Sequence, residues 1–123
     1  MPRAEIESTQ ARGARAEALA ADYLEQHGLI IVARNFRTRR GEIDIIARDG
    51  DRLVFVEVRL RTRSDFGGAG GSVTARKQSR IVSASLVYLA KIGREPPCRF
   101  DAVLLDGFEV DRIVWERDVI SVE

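Results

Sequence analysis

Residues 41–60 read Gly41-Glu42-Ile43-Asp44-Ile45-Ile46-Ala47-Arg48-Asp49-Gly50-Asp51-Arg52-Leu53-Val54-Phe55-Val56-Glu57-Val58-Arg59-Leu60. Two β-rich runs, Ile43–Ala47 and Leu53–Leu60, flank a polar stretch containing Asp-Gly, a strong hairpin signal. Strand side chains alternate between faces. Val54, Val56 and Val58 therefore point one way, and Phe55, Glu57 and Arg59 the other. The position of Asp44 depends on the turn. A two-residue loop at Asp49-Gly50 pairs Arg48 with Asp51 and sets Asp44 opposite Phe55. A four-residue loop sets it opposite Glu57. Either register puts the two carboxylates on one face. A three-residue loop sets Asp44 opposite Val56 and separates them, because a one-residue slip exchanges faces.

Asp44 stands inside an apolar run, where an unpaired carboxylate is costly. Two carboxylates held close, with no His or Cys near them in the chain, suit a hard cation such as Mg²⁺ or Mn²⁺. Arg59, two residues beyond Glu57, can neutralise developing charge but is a poor general base, because guanidinium stays protonated. Acidic and basic residues alternating along a strand also describe an ordinary solvated sheet face, and Glu-x-Arg alone does not separate the two readings.

Outward from this hairpin, residues 9–27 predict a helix: Leu19, Ala20, Tyr23 and Leu24 recur at helical spacing and Gly28 stops it. Leu29–Phe36 is a β-rich run and Arg37–Gly41 a basic turn. Phe66–Ser72 is a glycine-rich loop with no Gly-Lys-Ser/Thr after it, so it is no P-loop. Ser72 can cap a helix reaching about Lys91, with Ile81, Val82, Ser85, Leu86 and Leu89 as its buried set. Arg99–Leu105 and Val110–Trp115 read as two further strands around Asp106-Gly107. The order is α-β-β-β-α-β-β, an α/β fold with a mixed central sheet flanked by helices. Residues 1–8 read as a flexible N-terminus, 9–118 as a single domain and 119–123 as a tail.

The chain has 123 residues with 45% hydrophobic and 32% charged side chains, a globular composition that excludes wholesale disorder. Its longest apolar runs, Leu29–Ala33 and Leu86–Ala90, fall far below the roughly 20 residues of a membrane span. No signal-peptide core begins the sequence, so a cytoplasmic location without membrane attachment is expected. One cysteine, Cys98, excludes an internal disulfide, and one histidine, His27, argues against His-rich metal centres. The net charge of +1 hides an asymmetry. Residues 34–80 carry 12 basic against 6 acidic side chains, whereas 95–123 carry 3 against 8. The basic middle points to a polyanionic partner. Its candidate phosphate contacts are Arg37, Arg39, Arg40, Arg61, Arg63, Arg76 and Arg80.

Gly41–Ile46 followed by Leu53–Arg59 resembles the core motif of the YraN-like family of bacterial proteins, itself similar to the PD-(D/E)XK nuclease superfamily and to archaeal-type Holliday-junction resolvases. The resemblance covers about residues 10–115. It takes in Gly13, Glu17 and Tyr23-Leu24, then Asn35-Phe36-Arg37, Val73 and Lys77, and Arg99-Phe100-Asp101. It implies a restriction-endonuclease-like core and a divalent-metal phosphodiesterase. Asp44 and Glu57 would ligate Mg²⁺ or Mn²⁺, with the main-chain carbonyl of Val58 and the carboxylate of Glu17 as further ligands. Arg59 stands where many superfamily nucleases carry lysine; Lys77, on the helix after the loop, is the candidate substitute, and Gln78 reaches the same side. The expected partner is nucleic acid, DNA by the resemblance, branched or damaged, and a resolvase-like role would favour a homodimer.

Other residues carry structural expectations. His27 suits a helix C-terminus; Cys98 reads as a small semi-buried residue; Phe108 and Trp115 read as edge-of-core aromatics. Asp101 is expected to pair with an arginine. The glycine loop reads as a flap beside the site. Two readings compete with a metal-dependent nuclease: a non-catalytic nucleic-acid-binding module of the same fold, and a scaffold that binds protein through its acidic C-terminal part.

Overall fold

A computed structural model describes residues 7–61 and 75–120. Its elements follow the expected order: α1 (Thr9–Gln26), β1 (Ile30–Arg37), β2 (Glu42–Asp49), β3 (Arg52–Arg61), α2 (Ala75–Ile92), β4 (Cys98–Asp106) and β5 (Ile113–Glu116), the last preceded by a 3₁₀ turn at Val110–Arg112. The five strands form one mixed sheet in sequence order. All neighbours are antiparallel except β3 and β4, which run parallel and are joined across α2. Arg63, Val73, the glycine loop and Ser72 lie outside the described residues.

The Ser8 side chain caps α1, accepting from the Ala11 amide at 3.0 Å. Ala16, Ala20, Ala21 and Leu24 bury one stripe of the helix against Ile45, Ala47, Val54, Val56, Val103 and Leu105. The helix ends at His27, whose ring nitrogen Nδ1 meets the Tyr23 carbonyl at 2.7 Å, and at Gly28, with φ +97°. On the opposite sheet face, α2 packs Ile81 and Ala84 onto Ile43, Ile46, Leu53, Phe55 and Phe100. Leu86, expected in that buried set, is 61% exposed; Tyr88 fills the contact instead, edge-on to Phe36 and Phe55. Val119 and Ile120, expected in a tail, dock on the same core, with the Val119 amide donating to the Phe100 carbonyl at 2.7 Å. The last strand begins at Ile113 rather than Val110, because Val110–Arg112 turns as the Arg112 amide bonds the Glu109 carbonyl.

The hairpin settles the register. Its turn is Gly50-Asp51, not Asp49-Gly50: Asp49 pairs with Arg52, and the ladder runs to Ile45 opposite Val56. Gly50, at φ +63°, takes the first turn position, which needs a left-handed residue. One step further along this register, Asp44 comes level with Glu57.

Beyond Val56 the two strands part. β2 stays with β1, pairing Ile43 with Phe36 and Glu42 with Arg37, while β3 continues along β4 to Arg61. Asn35 lies level with Asp44 in this ladder and holds φ +56°, a left-handed value that Asn tolerates better than most residues. Simple alternation is broken here. Ala33 and Phe36, three residues apart, both face α2, as do Ile43 and Ile46, whereas Ile45 faces α1. Asp44 stands where the strand changes face.

Candidate functional site

The parting of β2 and β3 opens a cavity on each sheet face. On the α2 side, about 230 Å³ is enclosed by Glu42–Asp44 of β2, Val56–Val58 of β3 and Lys77, Arg80 and Ile81 of α2. On the α1 side, an open cleft of about 360 Å³ is bordered by α1, Asn35, Arg37 and Leu60. Glu42, Asp44 and Val58 border both.

Asp44 is partly buried and closes the gap between the strands: its Oδ2 accepts the Val58 amide at 2.8 Å. Burial raises its carboxyl to about 7, and the charges of Glu17, Glu57 and Glu42 push the same way, against the Val58 hydrogen bond. Glu57 has an 11% exposed side chain. Its Oε1 accepts from Lys77 Nζ at 2.7 Å, and its Oε2 is buried without a hydrogen-bond partner among the described residues. Asp44 and Glu57 therefore do share one cavity, with an ammonium against the second carboxylate.

Gly41 explains how α2 comes so close. A methyl there would overlap the backbone carbonyl of Arg80. The bare glycine lets the start of β2 lie against the helix and sets Lys77 and Arg80 over the carboxylates. Arg59 is half-buried and is not among the described lining residues of either cavity; Lys77 holds the place beside Glu57.

Glu17 sits apart. It is 7% exposed and lines the α1-side cleft, with Arg34 Nε 3.5 Å from its Oε1. Burial raises its carboxyl, while Arg34, Arg37 and Asn35 oppose the shift. Among the described residues no three Asp, Glu, His or Cys side chains are grouped to hold a metal ion. Asp44 and Glu57, with the Val58 main chain between their strands, are the pair brought together; Glu17 approaches Asp44 from the other face.

The described candidate phosphate contacts, Arg37, Arg39, Arg40, Arg61, Arg76 and Arg80, are all exposed. Two of them border a cavity, Arg37 the α1-side cleft and Arg80 the α2-side one. Arg37 also pairs with Glu42 at 3.5 Å. Arg39 and Arg40 ride a turn held by Thr38, whose hydroxyl bonds the Gly41 carbonyl at 2.9 Å and accepts the Arg40 and Gly41 amides.

Sequence reasoning assigned no role to Glu42 or Asn35, the third carboxylate of the α2-side cavity and the residue that switches the face of β1. The available signal was chemical: Asn is one of few residues at ease with positive φ. Asp101 is structural. Buried to 1% exposure, it accepts Arg99 Nε at 3.0 and 3.1 Å, Trp115 Nε1 at 2.9 Å and the Asp118 amide at 2.9 Å, while Arg99 Nη1 reaches Asp49 at 3.0 Å. His27 stacks on Tyr23, and Cys98 is partly buried with its thiol raised by burial.

These features define an α/β protein whose five-stranded mixed sheet carries paired carboxylates at a split between two strands. Residues 16–105 match the model of the Uncharacterised protein family UPF0102, and the chain belongs to that family. A UPF0102 protein of Nitrosospira multiformis is 51% identical over 111 residues, covering 90% of this chain and 93% of the relative. One of Dechloromonas aromatica is 53% identical over 118 residues, covering 95% and 94%. One of Cupriavidus pinatubonensis is 54% identical over 117 residues, covering 94% and 90%. Among the described residues no helix is long and apolar enough to cross a membrane.

Proposed function

We propose that this protein is a divalent-metal-dependent endonuclease acting on DNA, with a restriction-endonuclease-like core of the PD-(D/E)XK kind. One observation carries the reading: Asp44 and Glu57, from neighbouring strands, share an α2-side cavity with Lys77 against Glu57. The residues fit a hard cation. Glu57 has an unpartnered buried oxygen among the described residues, and Asp44 is strained toward protonation by its acidic neighbours. Both conditions are relieved by a cation between them. Mg²⁺ or Mn²⁺ held by Asp44 and Glu57 would supply an activated water and electrostatic stabilisation of a phosphorane-like transition state. The Val58 amide fixes the Asp44 carboxylate. Lys77, its side chain 45% exposed, can turn from Glu57 to a phosphate oxygen or orient water. Arg80 adds positive charge at the wall, and Arg59 contributes charge without serving as a base.

The second reading is a nucleic-acid-binding module without catalysis. The Glu57–Lys77 pair favours it, since Lys77 already neutralises one of the two carboxylates. The two are separated by incubating the protein with labelled duplex, single-stranded, flapped and four-way-junction DNA, and structured RNA, in Mg²⁺, Mn²⁺ or EDTA. The nuclease reading expects metal-dependent cutting that Asp44→Asn/Glu57→Gln abolishes. No cutting, with salt-sensitive binding that survives the double substitution, supports the module.

A further inference from the structure

The α2-side cavity already holds a positive charge against one of its proposed ligands. Among the described residues its lining carries three carboxylates, Glu42, Asp44 and Glu57, and two cations, Lys77 and Arg80. Lys77 Nζ lies 2.7 Å from Glu57 Oε1. The two partners are unequally held: the Glu57 side chain is 11% exposed and that of Lys77 45%. Glu57 is therefore fixed in the sheet wall. Lys77 is the half that can swing away, a compact charge on a flexible four-carbon stem. Its root is set by the close approach at Gly41, since the Arg80 carbonyl that packs there lies about one helical turn further along α2. For Glu57 to ligate a dication, Lys77 must give up the oxygen it holds. Two positive charges on one carboxylate in a half-buried cavity repel strongly.

We propose that Lys77 is a built-in stand-in for the divalent cation: paired with Glu57 it keeps cation affinity low, and a nucleic-acid phosphate that draws the ammonium off Glu57 raises it. The inference rests on the cation reading of the site and adds its regulation. Charge balances in both states. Without nucleic acid, the ammonium offsets a buried carboxylate that would be costly unpaired. With nucleic acid, the phosphate offsets the ammonium and leaves Glu57 to the cation. The residue type suits this exchange. An arginine there would grip a carboxylate through two parallel hydrogen bonds, whereas an ammonium is a point charge with no such fixed geometry. Coupling of this kind is reciprocal: the factor by which nucleic acid tightens the cation is the factor by which the cation tightens nucleic acid. The protein therefore loads its cation mainly when a strand is present.

The test is the affinity for Mn²⁺, measured by isothermal titration with and without DNA. The DNA is whichever of the duplex, single-stranded, flapped and four-way-junction forms binds tightest in EDTA, made with phosphorothioate linkages that resist cutting. Without DNA, Lys77→Met should tighten Mn²⁺ about tenfold. Arg80→Met removes the same charge from the same cavity and leaves the Glu57 pair in place, so it should change Mn²⁺ affinity less than about twofold. Saturating DNA should tighten Mn²⁺ about tenfold in the unsubstituted protein and less than about threefold in Lys77→Met. Lys77→Gln repeats the comparison with a polar side chain, and circular dichroism checks that each variant is folded. Three results overturn the proposal: equal Mn²⁺ affinity with and without Lys77, an equal gain in Arg80→Met, or coupling to DNA that survives the loss of Lys77. If Mn²⁺ still binds through Asp44 and Glu57 in those cases, the exchange fails and the cation site stands. Absence of Mn²⁺ binding in every variant overturns both.

Discussion

Asp44 is the residue on which the site turns, and its protonation gives the first prediction. Burial and three neighbouring carboxylates raise it from an ordinary value of 3.8 to about 7 in the cation-free protein. The folded state therefore holds a proton that the unfolded chain releases between those values. Stability from this group is full below about pH 4 and is lost as pH rises through 7. A single titrating group changes stability by at most about 1.4 kcal/mol per pH unit. Urea unfolding in EDTA should show stability falling from pH 5 to 7.5, and Asp44→Asn should flatten that fall. A slope unchanged by the substitution would show that Asp44 is already ionised. Asp44→Asn keeps an oxygen for the Val58 amide, so the fold is expected to survive while the proposed hydrolysis is lost. Lys77→Met is the complementary change. It leaves Glu57 facing the cavity without its ammonium, so added Mg²⁺ should raise the melting temperature more in this variant than in the unsubstituted protein.

At the level of elements, two glycines predict opposite outcomes. Gly41→Ala drives a methyl into the Arg80 carbonyl; overpacking of this kind costs about 1–3 kcal/mol. It should also displace the start of α2, and with it Lys77 and Arg80, reducing the proposed hydrolysis beyond what the stability loss explains. Gly13→Ala meets nothing and should stabilise the protein by about 0.5–1 kcal/mol through helix propensity. Thermal melts of the two variants check both signs. Most elements were legible in sequence, because the α1 stripe, the Asp-Gly turn and the alternating valines of β3 are local patterns. The pairing of Asp44 with Glu57 was legible only as one of several registers, since the turn could close at more than one place. Gly50 at the first turn position decided it. The face switch at Asn35 and Asp44 was not legible, because alternation assumes an unbroken strand. A left-handed residue followed by strand divergence breaks it. Glu17 lies across the sheet from Glu57 because α1 packs on the face of Val54 and Val56, whereas Glu57 alternates to the α2 face. Leu86 was misplaced because helical spacing alone does not say which way a broad apolar stripe faces, and Tyr88 packed there instead.

Across the whole molecule, the basic middle and acidic C-terminal parts fold into different work. The C-terminal acids include Asp101, which ties β4 to Arg99, Trp115 and Asp118, while Arg99 reaches on to Asp49 at the end of the hairpin. Asp101→Ala leaves Arg99 its Asp49 partner but removes the buried acceptor shared by Arg99, Trp115 and the Asp118 amide, and should cost about 3–5 kcal/mol. Trp115 is the sole tryptophan, so its fluorescence reports this unfolding directly. The exposed arginines of the middle segment predict salt-sensitive binding of nucleic acid. For each of Arg37, Arg39, Arg40 and Arg80 that touches a phosphate, its replacement by alanine should lower the slope of log Kd against log salt by about 1. Unchanged slopes in all four would place the nucleic-acid face elsewhere. The nuclease reading requires that Asp44 and Glu57 together form a divalent-cation site. Isothermal titration of Mn²⁺ at pH 7, repeated in buffers of different ionisation enthalpy, tests it most directly. One cation per chain is expected, with a fraction of a proton released as Asp44 ionises, and loss of binding in both Asp44→Asn and Glu57→Gln. Absence of binding at millimolar Mn²⁺, or binding that either substitution leaves intact, would contradict it.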